Sequence, residues 1–179
     1  MTQTTYVIVM AAIAALALIG MGIGWRRRAK RDTGIAAPDA ELSGEVLVRF
    51  RRASYVSTTP VGAPLDRVSI PALRYKGFAE LTVRRDGVTI AVTGEQPVSI
   101  PAAQLRGTDT AGGRIGKAVE RDGLSLLRWV PGVSTGSTDT AERTLESGFR
   151  LANPAEQAAF AEAIDHISLS PSTSQEGAQ

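Results

Sequence analysis

Tyr6 to Gly24 is a run of nineteen residues without a charged side chain, and Trp25-Arg26-Arg27-Arg28-Ala29-Lys30-Arg31 follows at once. A helix of that length rises about 28 Å, close to the roughly 30 Å hydrocarbon thickness of a bilayer. Its backbone amides are satisfied within the helix, which lipid tolerates. Positive charge is retained on the cytoplasmic side and tryptophan favours the headgroup level. This predicts one span with the N-terminus outside, and Trp25, Arg26, Arg27, Arg28, Lys30 and Arg31 facing cytoplasmic headgroups. A cleaved signal peptide has its positive charge before the apolar run, whereas residues 1–5 carry none on their side chains. A core helix is seldom apolar on every face over such a length.

The division expected is an extracytoplasmic residues 1–5, a transmembrane helix at 6–24, a basic juxtamembrane segment and linker at 25–44, a domain at 45–167 and a disordered tail at 168–179. Residues 32–44 contain Gly34, Pro38 and Gly44 with three acids, as a linker does. The tail is rich in Ser, Pro, Gln and Gly. The net charge is +2, although residues 26–31 alone hold five positive charges. Basicity therefore reflects the membrane-proximal cluster and does not point to nucleic acid. With no cysteine and one histidine, disulfides, thiolate catalysis and the usual zinc sites are excluded.

From residue 45 the period is that of strands. Val46, Val48 and Phe50 alternate with Leu47, Arg49 and Arg51; Ala79, Leu81 and Val83 alternate with Glu80, Thr82 and Arg84. Asp86-Gly87 then precedes the alternation of Val88, Ile90 and Val92, a hairpin signal in which both turn residues take φ > 0. Further strands are expected at 98–101, 117–121, 124–130 and 144–151, with Asp122-Gly123 as a second hairpin turn. The count is about seven. One soluble helix closes the domain: Asn153 serves as N-cap, Pro154 as its first residue and Glu156 completes a capping box. Phe160, Ala163, Ile164 and Ile167 form its apolar stripe, with Glu162, Asp165 and His166 opposite.

A curled antiparallel sheet of seven strands plugged by a C-terminal helix resembles the pleckstrin-homology (PH) domain. The chain is also similar to a family of small actinobacterial single-pass membrane proteins that carry such a domain. The matching phrases are Tyr55–Thr59, Pro64–Val68, Asp86–Val88, Ile100–Ala102, Gly116–Glu120 and Gly148–Arg150. Members are often encoded beside pyrimidine-biosynthesis genes and carry labels such as transporter or export protein. One span cannot enclose a transport path. The resemblance implies a mainly β fold and a binding module, and supplies no catalytic residues.

PH domains that read phosphoinositides use basic residues on the first strands and their loop. By that resemblance Arg49, Arg74, Lys76, Arg84 and Arg85 are the candidate contacts to an anionic ligand. The alternative is a solvated strand face that blunts a sheet edge. Ala111–Ala118 lacks the first glycine and final Ser/Thr of a phosphate loop, and a strand is expected after it, so it reads as an inter-strand loop. Asp165 and His166 lack any Gly-x-Ser-x-Gly partner, and no acid spacing suggests a metal. Trp129 and Phe149 read as core. Gly20 and Gly24, four apart, offer a face for close helix–helix approach and a possible homodimer.

These readings converge on a noncatalytic scaffold in the inner (cell) membrane, with no cofactor and no metal. Its domain would be presented to the cytosol for an unidentified membrane or cytosolic protein partner, the lipid bilayer being its other neighbour. The alternatives are anionic headgroup binding by the domain, and a regulatory subunit of a membrane transporter or biosynthetic enzyme.

Overall fold

The structure is a computed structural model and describes residues 3–32, 38–132 and 144–168. Residues 33–37 of the expected linker and 169–179 of the expected tail lie outside them. The chain divides into two compact units, Met1–Gly34 and Ile35–Gln179. The first holds helix α1, Gln3–Asp32. Within it, Thr4–Gly24 is 21 residues with a mean hydropathy of 2.5, long and apolar enough to cross a membrane. The helix continues past Gly24 through the basic cluster. Arg, Lys and Ala are good helix formers, and cations are favoured at a helix C-terminus by its dipole.

The second unit is built on one seven-stranded antiparallel sheet in the order β4-β3-β2-β1-β9-β8-β5. The strands are β1 (Val46–Pro60), β2 (Gly77–Arg84), β3 (Gly87–Val92), β4 (Val98–Pro101), β5 (Leu105–Ala111), β6 (Gly113–Arg114), β7 (Lys117–Ala118), β8 (Leu124–Trp129) and β9 (Leu145–Arg150). β1 pairs β2 over its first part and β9 over its last, with irregularities at Val46/Val48, Phe50/Ala53 and Tyr55/Ser57. Such bulges bend a strand and increase its twist, so one ladder curls round its own core. Helix α2, Pro154–Ser168, buries Phe160, Ile164 and Ile167 against it. The Phe160 ring meets Phe50 at 5.9 Å and Phe149 at 6.3 Å edge-on. Trp129 and Phe149 are fully buried in the same core, as expected. The Asn153 Oδ1 accepts the Glu156 amide at 2.9 Å, while the Glu156 carboxylate accepts the Ala152 amide. The mainly β, helix-plugged fold expected from the sequence is the one observed.

Four local expectations differ. β1 runs nine residues past Arg51, through Ser57, Thr58 and Thr59, all buried. The first hairpin turns at Arg85-Asp86, because Arg84 pairs with Gly87, and neither turn residue has φ > 0. Gly87 is required for another reason: a Cβ there would lie 2.2 Å from the Ile100 carbonyl oxygen. A strand at 105–111, unforeseen, pairs with β8, whereas 117–121 does not. Instead Lys117–Ala118 pairs with Gly113–Arg114 in a separate two-stranded ladder. The segment resembling a phosphate loop is thus a small hairpin.

Four buried polar side chains are joined through the core. The Tyr55 hydroxyl donates to the Leu73 carbonyl at 2.8 Å, and the Trp129 indole donates to Ser147 Oγ at 3.0 Å. Those two fixed donors set the direction between them: Ser147 donates to Thr58 (2.8 Å), and Thr58 donates to Tyr55 (3.0 Å). Burial pushes the Tyr55 phenol up to about 12, against smaller opposing effects of the Thr58 hydrogen bond and Arg67. The folded state therefore holds this proton more tightly than the unfolded one. Its contribution is complete below about pH 10, the unfolded phenol value, and is lost as pH rises toward about 12. Denaturant unfolding of the full-length protein across that window is expected to show falling stability. Tyr55→Phe should flatten the slope and cost about 1–3 kcal/mol at neutral pH, from the unpaired partners.

Candidate functional site

The five basic residues singled out in the domain do not converge. Arg84 ends β2 and Arg85 begins the β2–β3 turn, beside the segment that leads into β1. Asp86 Oδ2 accepts the backbone amides of Ser43 at 2.8 Å and Gly44 at 2.7 Å. Arg84 donates to the Gly44 carbonyl at 2.9 Å, and Arg85 Nε bonds the Glu45 carboxylate at 2.8 Å. The Arg85 amide also donates to the Glu45 carbonyl. Gly44 is needed here, because a Cβ would lie 2.5 Å from Asp86 Oδ1. Upstream, Ser99 donates to the Pro38 carbonyl, and Asp39 bridges Ser99 in parallel along the edge of β4. Residues 38–45 are therefore bound to the sheet.

Arg49 is likewise engaged, its Nε 3.5 Å from Glu80 Oε1 across the strands. Both side chains are about half exposed, so the pair is worth about 0–1 kcal/mol. Arg74 and Lys76 are different: they lie exposed at the end of the β1–β2 connection. That connection is not a free loop. Val68, Ile70 and Leu73 are buried in the core, and Arg67 ties it down by donating to the Val56 and Arg74 carbonyls. Beside Arg74 and Lys76, Tyr75 is 61% and Phe78 68% exposed. The sequence contained this signal as Arg74-Tyr75-Lys76-Gly77-Phe78, but strand alternation drew attention to the core face instead.

On the outer face of β8 and β9 lies an ionic cluster that sequence reasoning missed. Glu146, 4% exposed, accepts Arg114 at 2.6 Å and Arg128 at 2.9 Å, and Arg128 also binds Asp109. The β6–β7 hairpin covers this face, with Val56, Leu124 and Leu126 in a second small apolar cluster alongside Ala111 and Val119. A shallow cleft of about 650 Å³ lies next to it, lined by Pro60, Val61, Arg106, Arg128 and Thr144. Arg106 donates to the Ala103 and Leu105 carbonyls, so both cleft guanidiniums are already engaged. Asp165 and His166 are exposed neighbours on α2, and adjacent helix residues do not face each other. Among the described residues, no group of acidic or histidine side chains could hold a metal ion.

In the first unit, Arg26 is exposed, and Trp25, Arg27, Arg28, Lys30 and Arg31 continue the backbone of α1. Gly20 and Gly24 lie one turn apart with open space around each.

Glu146→Gln removes a buried negative charge from between two partly exposed guanidiniums, Arg114 and Arg128, the latter still paired with Asp109, and should cost about 1–3 kcal/mol. Asp86→Ala removes the acceptor for two amides, at about 2–4 kcal/mol. Denaturant midpoints of the full-length variants in detergent check both; wild-type midpoints would refute these structural roles.

Known structures with similar chains include a component of the 8S snRNP assembly intermediate, at 10% identity and a TM-score of 0.49, covering 79% of this chain and 96% of that one. A second is the C-terminal phosphotyrosine interaction domain of mouse APBB2, at 16% identity and 0.43, covering 76% and 96%. A third is the C-terminal PH domain of human FYVE, RhoGEF and PH domain containing protein 3, at 10% and 0.39, covering 76% and 98%. No curated protein matches the chain. Residues 23–165 match the model of the Bacterial PH domain-like family. With that match spanning most of the sequence, from the end of the apolar helix almost to the end of α2, the chain belongs to the Bacterial PH domain-like family.

Proposed function

We propose that this protein is a membrane-anchored, noncatalytic module whose PH-like domain faces the cytosol and holds a protein partner at the inner membrane. The observation that carries the reading is the engagement of Arg49, Arg84 and Arg85 within the fold. A headgroup site needs guanidinium groups free to converge on phosphate. Here three of the five candidates already bind a carboxylate or carbonyl, which favours a protein partner over a lipid ligand. The aromatic residues Tyr75 and Phe78, left exposed, are of the type enriched where proteins meet.

The anchor would be Thr4–Gly24, with the basic end of α1 on the cytoplasmic side. Only residues 33–37 separate the last helical residue from Pro38, whose carbonyl is already bonded to β4. A short tether raises the effective concentration of the domain against other membrane-held proteins, so weak contacts suffice. Chemical crosslinking in intact cells producing the full-length chain tests this. The expected result is a discrete protein adduct that is lost when the apolar helix is deleted. Recovery of no specific neighbour would refute the reading, as would a reporter after Gln179 that is active only outside the cytosol.

A further inference from the structure

Strands β1 and β2 and the connection between them carry four exposed cations that make no ion pair among the described residues, the Glu80 carboxylate on the outer face of β2 being engaged by Arg49. Arg51 and Arg52 occupy the bulge between Phe50 and Ala53, both exposed. Arg74 and Lys76 close the β1–β2 connection, also exposed. Among the described residues, none of the four lies within ion-pair distance of a carboxylate, in contrast to Arg49, Arg85, Arg114, Arg128 and Arg150. The face is also aromatic. Ala53 and Tyr55 point into the core, so Ser54 points outward, and Phe78 is its register partner on β2. Arg52 is the next outward position along β1, within reach of a ring at Phe78. Tyr75 extends the patch beyond the strand end.

We propose that this face docks an acidic segment of the partner protein that carries apolar anchors, an inference that rests on the protein-holding function above. Charge complementarity fixes the sign: four exposed cations select carboxylates and steer their approach. Two exposed aromatic rings among guanidiniums are the composition of an interface centre. A bilayer fits this face less well. The chain first meets the domain at Pro38, beside Ser99 on the β4 edge, whereas Phe78 lies two strands away near the start of β2. The Phe78 ring also stands on the flank of a hydrogen-bonded ladder and not on a protruding tip, so it cannot enter acyl chains without its polar neighbours.

The test uses the full-length protein in discs of zwitterionic lipid. The probe is a fluorescent peptide in which Glu alternates with Leu and Phe, compared with a counterpart carrying Lys for Glu. The Glu peptide should bind, more weakly as salt rises, and the Lys peptide should not. Tyr75→Ser with Phe78→Ser, and separately Arg74→Glu with Lys76→Glu, should each weaken binding about tenfold or more. These four side chains are exposed, so thermal midpoints should stay at the wild-type value. Equal binding of both peptides, or undiminished binding by both double variants, overturns the proposal. A photo-crosslinker replacing Phe78 in intact cells gives an independent result. A protein adduct abolished by Arg74→Glu with Lys76→Glu supports the face, and adducts to lipid alone overturn it. Protein adducts from a crosslinker at Thr108 on β5 but not from Phe78 overturn the face and leave the protein-holding function standing. None from either position overturns both.

Discussion

At Ser54 and Tyr55, strand β1 is paired on both sides at once, with Phe78 and Gly77 on β2 and with Arg150 and Phe149 on β9. Those two residues join what would otherwise be two ladders, β2-β3-β4 and β9-β8-β5, into one sheet. The bulges on either side, at Phe50/Ala53 and Tyr55/Ser57, supply the bend that lets the sheet close on itself. The core packs at this junction: the Tyr55 ring lies 5.7 Å from Phe149, which meets Phe160 of α2. The chain of hydrogen bonds from Trp129 to Leu73 passes through the same place. A buried polar chain of this kind is stable only when every member is satisfied, and its unidirectional donors meet that condition.

The placement of arginine follows from this architecture and separates two roles that look alike in sequence. Arg84 and Arg85 lie where the incoming chain must be held against a tight turn, so their donors are turned to Gly44 and Glu45. Arg114 and Arg128 neutralise Glu146 beneath the β6–β7 hairpin. Both sets belong to the fold. Arg51, Arg52, Arg74 and Lys76 point away from it, and with Tyr75 and Phe78 they form the surface on which binding is proposed. Tight attachment of residues 38–45 further means that this domain begins before its first long strand.

Much of the fold was legible because its apolar residues alternate. The β2–β3 hairpin, β8, β9 and α2 all present large side chains at the period of their own element, and the Asn153-Pro154 start of α2 follows from local chemistry alone. The extension of β1 through Ser57, Thr58 and Thr59 was not legible, because its polar residues are buried by pairing and by the hairpin lying above them. β5 was hidden for a different reason. It is an edge strand, Leu-Arg-Gly-Thr-Asp-Thr-Ala, with Gly107 at φ 96° inside the irregularity between Leu105 and Thr108. Edge strands are commonly polar and interrupted, and so lack the periodic signature. The candidate site was legible in residue type but not in use: a sequence shows that Arg84 is basic, and only the fold brings Gly44, forty residues away, to its guanidinium.

Hydrogen exchange of the full-length protein, reconstituted in discs with and without anionic lipid, tests most directly whether these arginines serve the fold or a headgroup. If they serve the fold, the amides of Ser43 and Gly44 exchange slowly, at rates indifferent to lipid charge. Amides that exchange freely in zwitterionic discs and become protected only when anionic lipid is present would contradict that assignment and restore the arginines to a ligand site.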